Sequence, residues 1–490
     1  MTLTDPVALL ILSFAVMFTL MLIGIPIAIS LAMVGAIGLF VFHGDASLVG
    51  LIPLRTLDSF VLTAVPLYIF MGEILVKCGA SELIYRGASR LLAWLPGGLL
   101  HANIAACAMF AAISGSSPAT AATIGTVAIP ALKVRRYEQT LTLGSLAAGG
   151  TLGILIPPSI NMIVYGVVAD ASIGRLFAGG VVPGLILTGL FMFYVAMRVQ
   201  WNPSLVPKEA PFSFKSAGMS LLTDLWPLYV LLVVVLGGIF GGFMTPTEAA
   251  AVGAVAGIVL AVVLRRLNWK LVGESLFAAV TTSCMVLFII VGSSILAAFF
   301  SRAGIPHAVS GMIVRSGMSP WMVFALVVII YLILGCFIDP VSIILLTAAT
   351  VIPIMKGLGF DLVWFGVMYV ITAEIGMLTP PMGLNLFVIQ GISGDTLQRV
   401  VKGSVPFFII MTSSIVLFCV FPKLVLWFPD LLFGARPYKP KGGTRPWNGT
   451  SRRSPARKRR AGTSIDWSPW RSKPAAAPGA ALFFPCMKRP

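Results

Sequence analysis

The sequence predicts an all-α polytopic membrane protein built from two inverted repeats, each carrying a re-entrant helical hairpin and a Pro-broken helix. Three observations lead there. The composition is 58% hydrophobic and only 10% charged, with a mean hydropathy of +0.99, which leaves far too little polar surface for a soluble chain of 490 residues. A motif is written twice, Gly153-Ile154-Leu155-Ile156-Pro157-Pro158 and Gly376-Met377-Leu378-Thr379-Pro380-Pro381, at an offset of 223 residues. That offset, without a gap, also superposes Pro130 on Pro353, Lys133 on Lys356, Gly180 on Gly403, Val182 on Val405 and Pro183 on Pro406. Finally, two apolar stretches, 92–132 and 320–355, are interrupted by polar residues at Ser114-Gly115-Ser116-Ser117-Pro118 and at Asp339-Pro340. A hairpin that enters the membrane and returns on its own side places such a break at its tip.

Taken in order, residues 1–54 read as N-terminal scaffold helices. The apolar run from Val7 to Phe42 folds around Gly24-Ile25-Pro26 into two helices; it is too long for a signal-peptide core and has no basic segment before it. Residues 55–200 form the first repeat, with a span at 55–76, the hairpin 92–132, a broken helix at 140–168 and a span at 176–198. Residues 201–272 connect the repeats through spans at 224–243 and 246–265, the second opened by Thr245-Pro246-Thr247-Glu248, which reads as a capping box. Residues 273–430 form the second repeat, with a span at 273–300, the hairpin 320–355, a broken helix at 362–392 and a last span at 404–428. Ten spanning helices and two hairpins result. With the N-terminus outside, fourteen Lys/Arg fall in inner loops and six in outer ones, as the positive-inside rule asks.

Charge is unevenly placed. Residues 435–490 hold 14 Lys/Arg and one acid, Asp466, so the tail 431–490 accounts for +13 of the net +17. It has no apolar period that could fold and reads as a disordered basic extension; no nucleic-acid partner is expected for the apolar body. On this map the even number of spans puts the tail outside, against the charge rule, so either one helix is uncounted or the tail takes no part in topology. The six cysteines, Cys78, Cys107, Cys284, Cys336, Cys419 and Cys486, show no C-x-x-C spacing, and neither a disulfide framework nor a zinc site is expected.

A Pro-Pro pair removes two backbone N–H donors, and at membrane depth such a break is tolerated only where protein or a polar cavity covers it. Two breaks at corresponding places in two halves point to a transporter binding site. The first hairpin tip with Ala119-Thr120-Ala121-Ala122-Thr123-Ile124-Gly125 after it, the Ile156-Pro157-Pro158-Ser159 break, Thr245-Pro246-Thr247-Glu248-Ala249-Ala250-Ala251 and Glu374-Ile375-Gly376-Met377-Leu378-Thr379-Pro380-Pro381-Met382-Gly383 stand in that order. Together they resemble the large membrane (permease) subunit of TRAP transporters, the tripartite ATP-independent periplasmic carriers, over roughly residues 5–430.

The resemblance implies sodium-driven uptake of an organic acid across the bacterial inner membrane, with the acid delivered by a periplasmic substrate-binding protein. It also implies a small four-helix membrane subunit as partner and an elevator-type mechanism, in which hairpins and broken helices move as one block against a scaffold in the lipid bilayer. No four-helix module precedes residue 5, so the small subunit is expected as a separate chain, and the tail after Gly434 has no counterpart in the family pattern. No cofactor is expected beyond sodium as coupling ion.

Sodium asks for several hard oxygen ligands, and unwound helix supplies carbonyls to it. The first site is expected from Ser114, Ser116 and Ser117 with the freed carbonyls at Gly153 and the amide of Asn161. Its symmetry mate is expected from Asp339 and Ser342 with Gly376, Thr379 and Asn385. The substrate carboxylate is placed between the tips, against Pro157, Pro158, Pro380 and Pro381, where half-helix N-termini favour anions. Competing readings stand beside these: the serines as close-packing positions, Asp339 as a cap on the second arm, Glu374 as a structural pair in the bundle. His101 and His307 read as interfacial.

Other classes fare worse. An enzyme needs clustered acids or histidines, and the acids inside the spans are solitary, so the chain is not expected to be one. A channel lacks a repeated pore loop with a ring of charges or carbonyls. A stand-alone ion-coupled anion carrier of the same architecture shares nearly every feature and differs in needing no binding protein.

Overall fold

A computed structural model of the chain describes residues 5–43, 47–207, 214–381 and 383–434. The tail from 435 onward and Met382 lie outside the described residues. Every regular element described is a helix. The chain opens with α1 (Pro6–Leu22) and α2 (Ile27–His43), 17 residues each, which flank Gly24 at a φ of 90°. After α3 (Ser47–Leu57), the first repeat runs through α4 (Ala64–Lys77), α5 (Ala80–Leu91), α6 (Leu99–Ser114), α7 (Ser117–Val134), α8 (Gln139–Gly150), α9 (Ile160–Val168) and α10 (Ile173–Trp201). The connection holds α11 (Phe214–Thr223), α12 (Trp226–Leu232), α13 (Gly238–Phe240) and α14 (Pro246–Val263), with a π-helical turn between α12 and α13. The second repeat holds α15 (Trp269–Arg302), α16 (Ile305–Ser316), α17 (Pro320–Gly335), α18 (Pro340–Gly357), α19 (Leu362–Met377), α20 (Leu384–Ser393) and α21 (Leu397–Val420), and α22 (Lys423–Phe433) follows.

The two repeats correspond helix for helix, α4–α10 with α15–α21. Helices α7 and α18 start at Ser117 and Pro340, and α8 and α19 at Gln139 and Leu362, both pairs keeping the 223-residue offset. The cause is local. Each hairpin's second arm has Pro in its first turn, where no N–H is needed. Each broken helix opens on an acid in register, Glu138 and Asp361, whose carboxylate accepts from two free backbone N–H groups at 2.6–2.9 Å and 2.8–3.0 Å respectively.

The hairpins and broken helices stand where the sequence places them, and Thr245 and Glu248 form the expected capping box. Other expectations change. Among the described residues six helices, or seven with the pair 217–223 and 226–240 bent by 56°, are each long and apolar enough to cross a membrane, against ten expected, and one of the six is α18, the second arm of a hairpin expected to re-enter. The shortfall has two causes: α1 and α2 are at the lower limit of spanning length, and the broken helices are divided into halves of 12 and 9 residues in the first repeat and 16 and 10 in the second. The last expected span, 404–428, is two helices that part at Phe421-Pro422. His101 is buried within the protein, with Nε2 2.9 Å from the Pro96 carbonyl. The described cysteines are all free thiols.

Helix α22 is clasped to α10. The Arg175 guanidinium, nearly buried, donates to Asp430 and, at 2.9 Å, to the Gly434 carbonyl. Truncation after Gly434 therefore preserves the clasp and is expected to leave assembly and transport intact. Truncation after Val420 removes both acceptors, strands a buried cation and is expected to lower the yield of monodisperse protein sharply. Size-exclusion profiles of the two truncated chains check this; a normal profile for the shorter one contradicts it.

Candidate functional site

The first hairpin tip is built on close backbone approach. Helix α6 ends at Ser114, Gly115 takes a left-handed conformation (φ 60°), and a Cβ there would lie 2.9 Å from the Pro158 carbonyl oxygen. A Cβ on Gly153 would lie 2.6 Å from the Ser116 carbonyl oxygen and 2.8 Å from Ser117 Cα. Only glycines let tip and break meet at this distance. The tip is stiffened by its own hydroxyls: Ser114 and Thr120 share a 2.6 Å hydrogen bond, and Thr120 donates to the Ser116 carbonyl at 2.8 Å. Ser114, Ser116, Ser117, Gly153 and the buried Pro157-Pro158 pair are thus brought together. Asn161 is buried on α9, whose first residue, Ile160, lies beside Gly115 of the tip, and among the described residues no hydrogen bond joins Asn161 to that tip.

At the second tip, Asp339 caps α18, accepting from the Ser342 amide at 3.1 Å and the Ser342 hydroxyl at 2.6 Å. Gly376 meets the end of the first arm, where a Cβ would lie 2.6 Å from Gly335 Cα. The Thr379 hydroxyl donates to the Ile375 carbonyl at 2.7 Å, leaving its oxygen lone pairs unspent. Pro380 and Pro381 are exposed, whereas Pro157 and Pro158 are buried, so the two breaks differ in access although both peptide bonds between the prolines are cis.

Asn385, expected beside Thr379 and Gly376, turns to the first hairpin tip instead. Its side-chain amide donates to Ser117 Oγ at 2.8 Å and to the Ala147 carbonyl at 3.4 Å. The reason lies in the packing: α20 settles on α7 and α8 of the first repeat, while α9 packs both on α4 and α10 of its own repeat and on α18 and α19 of the other. Spacing along the chain does not reveal this crossing. The same Ser117 Oγ is 3.0 Å from the Gly150 carbonyl oxygen and 2.9 Å from Glu374 Oε2. Glu374, weighed from the sequence as a bundle pair, is fully buried on α19 and is joined to the opposite repeat. Gly150 and the acid caps Glu138 and Asp361 were not singled out by sequence; the caps could have been found, since the repeat offset superposes them.

The chain matches the family model described as the tripartite ATP-independent periplasmic transporter, DctM component, over residues 14–424. It is 36% identical over 447 residues to the C4-dicarboxylate TRAP transporter large permease protein DctM of Vibrio cholerae, covering 86% of this chain and 97% of that one. It is 36% identical to the protein of the same description from Pseudomonas aeruginosa, covering 82% and 94%. The sialic acid TRAP transporter large permease protein SiaM of Vibrio cholerae is 32% identical, covering 77% and 88%. Among solved structures, the Alcanivorax borkumensis YdaH transporter aligns with a TM-score of 0.49 at 14% identity, covering 76% of this chain and 90% of that one.

Proposed function

The chain belongs to the DctM-component family of tripartite ATP-independent periplasmic transporters and is a transporter permease, not an enzyme, and on that premise we propose that it performs sodium-coupled uptake of an organic carboxylate. The acid is handed over by a periplasmic substrate-binding protein, a small four-helix membrane subunit completes the complex, and the location is the bacterial inner membrane. The observation that carries the reading is the twofold construction of a hairpin tip against a glycine that precedes a Pro-Pro break, at Gly153 and at Gly376. Such unwound, oxygen-bearing breaks in both halves suit a pair of cation sites flanking an anion. The family description itself excludes ATP as the driving force. The relatives named for C4-dicarboxylates and sialic acid support a carboxylate substrate. Interlocking of α20 with α7 and of α9 with α18 supports the movement of hairpins and broken helices as one block, as an elevator requires.

Uptake in proteoliposomes that contain the small subunit and loaded binding protein should follow an imposed sodium gradient; undiminished uptake without sodium would overturn the proposal. Thr379→Ala sharpens the test. Its hydroxyl bonds only one turn back along its own helix, so the change costs little stability. Loss of one contact to a charged group, on the order of 1.5–3 kcal/mol, should raise the half-saturating sodium concentration about tenfold or more. A sodium curve that overlays the parent removes Thr379 from the site.

A further inference from the structure

Beneath the first hairpin tip lies a group of buried oxygens with too few protons. Glu374 and Asn385 are both fully buried, and among the described residues Glu374 Oε1 and Asn385 Oδ1 have no hydrogen-bond partner. The other polar atom of each side chain touches the same hydroxyl, Ser117 Oγ, at 2.9 and 2.8 Å, so both unpartnered oxygens belong to side chains that meet at Ser117. Ser117 carries a single proton yet faces two acceptors, Glu374 Oε2 and, at 3.0 Å, the Gly150 carbonyl. Among the described residues no Lys, Arg or His forms an ion pair with Glu374. Gly150 closes α8, so its carbonyl sits at the negative end of that helix.

A buried carboxyl, an amide whose N–H faces Ser117 while its oxygen lacks a partner, and a helix-terminal carbonyl meet at one hydroxyl with no ion-paired cation among the described residues, an oxygen-rich group that a small cation completes. We infer that Glu374, Asn385, Ser117 and the Gly150 carbonyl form a binding site for a dehydrated monovalent cation of sodium's size. This site takes Ser117 and Asn385 from the two sites read from the sequence and adds Glu374 and the Gly150 carbonyl, and it rests on the sodium-coupled reading. It occurs once and not twice. The 223-residue offset puts Thr151 in place of Glu374, Met162 in place of Asn385, Pro340 in place of Ser117 and Ala373 in place of Gly150, so the mate has no carboxylate and no amide. An ion there ties α19 and α20 of the second repeat to α7 and α8 of the first.

The test uses the purified full chain in lipid nanodiscs, with thermal unfolding followed against sodium chloride at constant ionic strength set by choline chloride. The unfolding midpoint of the parent should rise with sodium. Glu374→Gln, isosteric and uncharged, should raise the half-saturating concentration at least tenfold and leave the sodium-free midpoint unchanged or higher, because it relieves an uncompensated charge. Asn385→Ala, which removes the amide oxygen by a different change, should weaken the response in the same direction and decides the matter if the first variant does not fold. A parent that ignores sodium overturns the coupling reading and this site with it. A parent that responds while both variants titrate like it overturns this site alone. A Glu374→Gln midpoint lowered equally at every sodium concentration also overturns it, since that is the behaviour of a purely structural hydrogen bond.

Discussion

Gly403→Val is expected to abolish recovery of folded protein. Helices α8 and α21 touch backbone to backbone: a Cβ on Gly403 would lie 2.0 Å from the Thr140 carbonyl oxygen, and one on Gly144 would lie 2.1 Å from the Gly403 carbonyl oxygen. Overpacking of an ordinary core costs about 1–3 kcal/mol because neighbouring side chains can rotate away. Here the obstructing atoms are backbone, so the helices must separate and one of the main contacts between the two repeats is lost. With folded proteins stable by only about 5–15 kcal/mol, a loss above about 3 kcal/mol at this seam should leave little monodisperse material. Gly189→Val is the control, since nothing lies within 4 Å of a Cβ at that exposed position on α10. Equal size-exclusion profiles for the two variants would show that the seam is not required.

Ser117→Ala is the second large effect. Read from sequence, it deletes one oxygen and adds no bulk. Among the described residues that oxygen is the only side-chain hydrogen-bond partner of the Glu374 carboxyl, and it receives the shorter of the two bonds from the Asn385 amide. Each buried polar group left without a partner costs about 1–3 kcal/mol. The variant should therefore unfold at a lower temperature than the parent by a margin that Thr379→Ala does not show, because the Thr379 hydroxyl serves only its own helix. Thermal unfolding of both variants in one detergent separates the cases; coincident midpoints would mean that the link between repeats at Ser117 bears no stability.

The repeat is where sequence reasoning reached furthest. The offset 223 fixed not only the motif but the helix starts, because a helix begins where a cap and a first-turn Pro stand, and both are local properties. The offset could not explain why its superposed glycines are glycines. A Cβ on Gly180 would meet the Leu155 carbonyl oxygen at 2.4 Å, inside its own repeat, whereas Gly403 meets Thr140 of the other one. One register thus serves two different contacts. The short helices α5, α16 and α22 escaped notice because a search for long apolar runs passes over them. Helix α5 turns Ile84 and Ala88 inward while Arg86 and Arg90 reach the buried Asp224 at 2.7–3.0 Å, a pairing across 134 and 138 residues that no local pattern signals.

By itself the sequence determined the membrane class, the two repeats, the hairpins with polar tips and the Pro-Pro breaks, because composition, turn chemistry and missing N–H donors act within a few residues of where they are written. The tertiary structure alone decided which tip faces which half-helix. It turned the Asn385 side chain to the first hairpin tip and joined Glu374 to Ser117 across 257 residues of chain. Those partnerships depend on the path of α9 and α20 after each break, which brings Ile160 and Tyr165 of α9 beside Gly115 and Gly366 and brings Asn385 and Ile389 of α20 beside Gly150 and Gly125, in a packing that no spacing along the chain encodes.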